Sequence, residues 1–330
     1  MATEIKNEGT SVVLQLIFYK KRLASVNLFC FLKKFSVSLH RNYFENMEDN
    51  KYNVTIEGEP QEVTEIREKI LNSFKDLIFI EEGHKYFLNG KPIPSVTTIT
   101  HRFKEEFDEQ EAAERYALKH GETAEYWLEK WAYTSLKATT KGTLVHAFGE
   151  SLGWLRNGHP ELITDDCRHV YLEDKGWLIP TRPQEESIIK FYEDLPSDFH
   201  FVLAETKVYT GLNKELTDLN EDYCGTFDLL FYYKHPTDDS KSGLVIMDFK
   251  TNASLEKEYS RAKGKMMYPP FEDLYDESLG SYVLQLSAYQ IPLEDIGLKV
   301  IGRRIIWLKP DGTYDKISVP DVTSKLRNVL

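Results

Sequence analysis

Two apolar stretches carry charge where charge is expensive. YCGTFDLLFYY at 223–233 holds Asp228, and LVIMDFK at 244–250 holds Asp248 and Lys250. Both are dense in aliphatic, aromatic and β-branched residues, so both read as buried strands. The intervening KHPTDDSKSG is polar and turn-rich. A hairpin centred on that loop makes residue i face residue 477 − i, which sets Asp228 opposite position 249, one place from Asp248. Alternation along a strand puts Asp248 and Lys250 on one face. Two neighbouring carboxylates in an apolar sheet repel each other, and burial disfavours both charges. Either one of them holds a proton or a cation sits between them. Oxygen donors at this density suit Mg²⁺ or Mn²⁺ better than zinc. Lys250, a compact charge with an adjustable pKa, can hold a phosphate or an attacking water.

Three further pieces have the right residue types. GTLVHAFGE at 142–150 puts His146 and Glu150 one helical turn apart, with Gly142 and Gly149 flanking the histidine side. His146 is either a metal ligand or a buried histidine bonded to Glu150. YVLQLSAYQ at 282–290 puts Gln285 and Tyr289 on one helical face. They either contact phosphate oxygens or belong to an ordinary amphipathic helix. Glu205, in FVLAETKVY at 201–209, shares a strand face with Leu203 and Lys207. It either joins the site, through hydrogen bonds or as a metal ligand, or is an exposed strand residue.

Taken in order, these pieces read G-x-x-x-H (Gly142, His146), Glu205, G-x-x-D (Gly225, Asp228), D-x-K (Asp248, Lys250) and Q-x-x-x-Y (Gln285, Tyr289). The series resembles the RecB/lambda-exonuclease branch of the PD-(D/E)XK nuclease superfamily over about residues 141–308. PIPSVTTIT at 92–100 is similar to a segment of the mitochondrial genome maintenance exonuclease group and its phage relatives. The resemblance implies an α/β, restriction-endonuclease-like core of order αβββαβ, with a mixed central sheet flanked by helices. It implies a Mg²⁺- or Mn²⁺-dependent deoxyribonuclease, an exonuclease acting on DNA with a free end or a single strand in replication, repair or recombination. An endonuclease of the same fold and a non-cleaving nucleic-acid-binding relative are the alternatives. His146, Asp228, Asp248 and the Phe249 carbonyl are the implied metal ligands. Lys250 is implied as activator of water, with Asp248, Asp228 and Glu205 also in the catalytic set. Gln285 and Tyr289 are implied on the helix that steadies the lysine and contacts DNA. Some relatives hold an iron–sulfur cluster on four cysteines. Only Cys30, Cys167 and Cys224 occur here, without that spacing, so no cluster is expected.

These residues need elements to hold them. The spacing predicts helix over 107–137 with a break at Gly121, helix over 141–156 capped by Thr139 or Thr140, and a short helix over 184–195. It predicts strands near 200–209, 223–233 and 244–250, a helix near 281–291 and a strand near 299–308. Asn89-Gly90 reads as a hairpin turn between extended runs in 84–100. The stretch 252–281 reads as an inserted loop. In it Arg261, Lys263 and Lys265, with Tyr268 and Phe271, either grip a nucleic-acid strand or form a surface loop with an aromatic anchor. The expected organisation is an atypical basic extension at 1–46, a hairpin and helical region at 47–140 and the nuclease core at 141–330.

The chain has 330 residues and a net charge of −12. That balance argues against a protein held on nucleic acid by bulk charge alone. It is compatible with a local basic surface or an acidic, cation-binding site. Residues 1–46 carry seven Lys/Arg against three Glu, a net of +4, leaving −16 for the rest. A mis-called extension ahead of Met47 is the favoured reading of this segment, with a mitochondrial presequence as the alternative. No apolar run is long enough for a membrane span, and three cysteines point to a reducing compartment. The expected location is cytoplasmic, or mitochondrial if the first segment is a presequence.

Overall fold

The computed structural model describes residues 58–80, 83, 85–159, 182–212, 219 and 221–330. The expectations for 1–46, His84, Cys30 and Cys167 lie outside these residues. The described elements run α1 (Gln61–Ser73), β1 (Leu77–Ile80), β2 (Lys85–Leu88), β3 (Lys91–Ile93), α2 (Val96–His101), α3 (Glu109–His120) and α4 (Ala124–Arg156). Then come α5 (Arg182–Glu193), β4 (Phe199–Tyr209), β5 (Cys224–Tyr233), β6 (Gly243–Lys250), α6 (Glu258–Lys263), α7 (Ser278–Asp295), β7 (Val300–Leu308), β8 (Tyr314–Ser318) and α8 (Thr323–Val329).

The architecture is α/β. A five-stranded sheet has the order β4-β5-β6-β7-β8, antiparallel throughout except that β6 and β7 run parallel. A parallel pair needs a crossover, and α7 supplies it. β6 is buried on both faces, from Gly243 to Phe249, as a strand between two helical layers must be. Alternation sends its side chains to opposite sides. Phe249 packs against Phe191 of α5 and against α4 at Gly149, while Lys250 lies over Tyr282 of α7. No helix among the described residues is long and apolar enough to cross a membrane.

A three-stranded sheet, β1-β2-β3, stands beside the main one. Its β2–β3 turn is Asn89-Gly90, both in the left-handed region (φ 51° and 75°), as a tight hairpin requires. The extended reading of 84–100 fails beyond Ile93. Ser95 accepts the Thr98 N–H (3.2 Å) and caps α2, so VTTIT is a helix. The Cys224 N–H donates to the Pro94 carbonyl (2.9 Å), which joins this region to β5.

The two helices expected on either side of 140 are one. Thr123 caps α4, which then runs unbroken for 33 residues. Thr139 and Thr140 cap nothing. Their hydroxyls donate back to the Ser135 and Leu136 carbonyls inside the helix (2.7–3.1 Å). The boundary placed at 140/141 therefore falls within α4. Gly121 ends α3 in the left-handed region, as expected of a C-terminal glycine.

The stretch 252–281 contains α6 and is tied down rather than free. Phe271 is fully buried, edge-on to Phe103 (4.7 Å). Arg261 pairs with Glu277 (2.8 Å) and Glu256 (3.0 Å), and Lys265 pairs with Glu105 (2.6 Å) and Asp276 (3.5 Å). Phe271 is thus an aromatic anchor, and Arg261 and Lys265 are paired with carboxylates. Arg261, Lys263 and Tyr268 keep exposed surface.

Candidate functional site

β5 and β6 pair from Tyr233/Gly243 to Leu229/Met247, a register in which residue i faces 476 − i, one step from the expected value. The ladder stops there, and the strands part. Where the next rung would form, the Asp228 Oδ2 accepts the Phe249 N–H at 2.7 Å. A carboxylate thus takes the place of a backbone acceptor and lies at the fork of the two strands.

On the other side of β5, β4 pairs through Ala204/Leu229 and Thr206/Phe227, and Glu205 falls between them opposite Asp228. Glu205 has φ of +44° in the middle of a strand. A non-glycine residue held there is strained by roughly 1–3 kcal/mol. Its carboxylate meets Asp228 at the fork. α4 brings His146 over both acids. Its Nδ1 lies 3.2 Å from the Asp228 Oδ2 and 4.0 Å from the Glu205 Oε1. One donor atom from each of the three residues lies within 4.8 Å of the other two.

Asp248 and Lys250 form the adjoining half. Asp248 is 1% exposed and ion-paired to Lys250. The Lys250 Nζ lies 4.4 Å from the centre of the Tyr282 ring, a cation–π contact. Tyr282 is fixed in turn by donating to the Asn252 Oδ1 (2.8 Å). The structure therefore gathers His146, Asp228 and Glu205, rather than His146, Asp228 and Asp248. Asp248 projects toward α7, where Lys250 already holds it. The Phe249 group engaged at the fork is its N–H. Glu150 is buried one turn beyond His146.

Four carboxylates (Glu150, Glu205, Asp228, Asp248) thus face two cationic side chains, and the protonation preferences of His146, Asp228, Glu205, Asp248 and Lys250 diverge. Burial lowers the His146 pKa, but Asp228 and Glu205 outweigh it and lift it to about 9. Asp228 goes down: burial opposes ionisation, and His146, Lys250 and the Phe249 N–H overcome it. Burial pushes Glu205 well up, and Asp228 and Glu150 add to this. Burial and then Asp228 push Asp248 to about 6, against the pull of Lys250. Burial works against the Lys250 charge, yet Asp248 and Asp228 hold its pKa above the usual lysine value. An excess of carboxylates over cations around one imidazole suits a hard divalent ion.

Glycines permit the close packing around this centre. A Cβ on Gly149 would stand 2.6 Å from the Phe249 ring, and one on Gly225 would stand 2.5 Å from the Tyr289 ring. The clearing expected beside His146 is thus filled at Gly149 by Phe249. Near Gly142 the closest atom is the Thr251 hydroxyl at 3.8 Å. Gln285 and Tyr289 do share a face, and Gln285 donates to the Tyr289 hydroxyl (2.8 Å). Tyr289 is largely buried, and both Gln285 and Tyr289 line a cleft of about 400 Å³ together with Phe79, Tyr86, Thr226 and Glu205. The cleft therefore opens beside the acidic cluster.

Sequence reasoning missed Tyr282. Its signal was present, because Tyr282 lies three residues before Gln285 on the same helical face. It left the place of Glu205 open, since nothing in the strand pattern announces a left-handed residue. No protein-family model matches the chain, and no curated protein matches it.

Proposed function

We propose that this protein is a divalent-metal-dependent nuclease with a restriction-endonuclease-like core, hydrolysing phosphodiester bonds in DNA from a strand end. The observation that carries the reading is the convergence of His146, Glu205 and Asp228 at a strand fork, next to the buried Asp248–Lys250 pair. The order α4, β4–β6, α7, β7 is the one the resemblance implies, and the D-x-K residues share a face beside the fork. DNA as substrate, and a role in replication, repair or recombination, come from the resemblance alone.

His146, Asp228 and Glu205 would hold Mg²⁺ or Mn²⁺, and the resemblance alone would add Asp248 and the Phe249 carbonyl as further ligands. A bound ion of this kind supplies charge neutralisation at the phosphate and a more acidic water. The chain's own residues do the rest. Asp228, kept ionised by its surroundings, offers a permanent negative oxygen. Lys250, fixed between Asp248 and Tyr282, is a cation positioned to donate hydrogen bonds to a phosphate oxygen or an attacking water. Gln285 presents its side chain to the cleft where the nucleotide would lie.

The test uses end-labelled linear and closed circular DNA, single- and double-stranded, with Mg²⁺, Mn²⁺ or EDTA. Linear DNA should be shortened from its ends only with metal, and Asp248→Asn should reduce the rate by about 10³-fold or more while the protein stays folded. Cutting of circles would make the protein an endonuclease. Full activity of Asp248→Asn would remove the reading altogether.

A further inference from the structure

We infer that the α3–α4 arm is a single-stranded DNA grip, a surface that rests on the nuclease reading and extends it away from the acidic centre. The outer part of the arm, residues 121–140, has no buried residue, and α3 buries only Ala113. It is held together by rings. Tyr116 stacks on His120 (4.1 Å) and meets Trp127 (4.5 Å) and Trp131 (5.8 Å) edge-on. At 3.6 residues per turn, Tyr126, Lys130, Tyr133, Lys137 and Lys141 fall within an arc of about 80° on α4. The stripe is about 22 Å long, enough for roughly six nucleotides at ~3.4 Å each.

Its chemistry is that of a strand-binding track. The Lys130 Nζ lies over the Trp127 ring (4.5 Å) and the Tyr126 ring (5.6 Å), and the Lys137 Nζ over the Tyr133 ring (5.6 Å). Among the described residues, none of Lys130, Lys137 and Lys141 has a carboxylate within 4.0 Å, whereas both internally tied cations of the 252–281 loop do. No Asp or Glu occurs between Glu129 and Glu150. An acidic protein that handles a polyanion must concentrate positive charge locally, and this stretch of helix does so. Exposed rings interleaved with unneutralised lysines fit a flexible strand, whose phosphates meet the cations while its bases stack. Tyr133 is 63% exposed and Tyr126 44%. Lys141 comes five residues before His146 on the same helix, and Gly142 next to it lies against Thr251, the residue after Lys250. A strand lying on the arm would therefore be held close to the cleavage centre.

The experiment measures binding in EDTA, so that cleavage plays no part. Fluorescence anisotropy of labelled oligothymidylate is followed against salt for the full chain, for Lys130→Gln/Lys137→Gln/Lys141→Gln and for Tyr126→Ala/Tyr133→Ala. Circular dichroism establishes that each variant is folded. The lysine variant should bind at least tenfold more weakly, and its slope of log K against log salt should be shallower by about 2, three lysines at ~0.7 each. The tyrosine variant should bind roughly tenfold more weakly with the slope retained. No binding by the wild-type chain, or unchanged affinity and slope in the lysine variant, overturns the proposal. A hairpin duplex bound as tightly as the single strand, with the tyrosine variant unaffected, overturns the single-strand assignment. Arm-dependent binding without metal-dependent cleavage would overturn the nuclease reading and leave the arm's role standing.

Discussion

The two halves of α4 solve opposite problems with one continuous helix. From Val145 onward it lies against the sheet, and Val145, Phe148, Gly149, Glu150, Ser151, Gly153 and Trp154 are all buried. Two of these are glycines that let Phe249 and Tyr192 come close, because the inner half has sheet on one side and α5 on another. The outer half has no buried residue at all and is stabilised by stacked rings and lysine–ring contacts. Ionisable groups behave accordingly. In the inner half, His146 sits among acids, only partly exposed, and its pKa is raised. In the outer half, Lys130 and Lys137 stand in water, where they remain available to a ligand. Burial and charge availability trade off along the helix, and the acidic cluster lies where the helix meets the sheet.

The largest expected effect tests the inner half through pH. Without metal, His146 is protonated up to about pH 9 and Asp248 up to about pH 6. A divalent ion needs the imidazole neutral and the carboxylate ionised. Metal affinity should therefore climb between pH 6 and 9, by up to about tenfold per unit, with proton release. Calorimetry in buffers of different ionisation enthalpy measures both, and a flat profile would break the contrast between the halves. Stability in EDTA should run the other way. The raised His146 pKa makes a contribution that is complete below pH 6.5 and lost as pH rises through 9. The raised Asp248 pKa adds a contribution present below pH 3.8 and lost by about pH 6. Thermal unfolding of the metal-free protein should fall from pH 6 to pH 9.

Next in size is a paired substitution. Gly149→Ala puts a Cβ 2.6 Å from a ring locked in the core, and should destabilise by about 1–3 kcal/mol. Gly142→Ala meets nothing closer than 3.8 Å. It should stabilise the helix by about 0.5–1 kcal/mol, the usual gain over glycine. Urea unfolding decides both, and equal effects would show that the two positions on α4 do not differ in packing. The smallest effect concerns Lys250. Tyr282→Leu removes the ring beneath its ammonium and should lower kcat by no more than about tenfold with KM unchanged. Tyr282→Phe should restore kcat, because the face that meets the cation is kept. A change confined to KM would show that Tyr282 contacts substrate instead of positioning the lysine.

Much of this was legible in the sequence because it depends on period and local chemistry. β4 to β7 and α7 lie where alternation and helical spacing put them. Asp248 and Lys250 share a face, as a period of two demands. What was not legible depends on contacts remote in sequence. Thr139 and Thr140 read as caps that would divide α4, yet a threonine hydroxyl bonds equally well to the preceding turn of a continuing helix. VTTIT reads as a strand by β-branching, yet Ser95 and the packing of this turn against Gly225 and Tyr289 make it helical. The hairpin register missed by one because the short helical turn at Asp239–Lys241 shifts the loop's midpoint. Phe271 of the 252–281 loop looked available for stacking, and only its contact with Phe103 shows that it is a core residue.

The hydrogen bond from the Phe249 amide to Asp228 gives that carboxylate two duties that a knock-out cannot separate. Removing it would strand a buried amide, at about 1–3 kcal/mol, and loosen the sheet at the fork as well as remove one ligand of the proposed metal site. An inert version suited to trapping a bound strand should therefore be sought at Lys250 or Glu205, where the side chain can be changed without opening the seam.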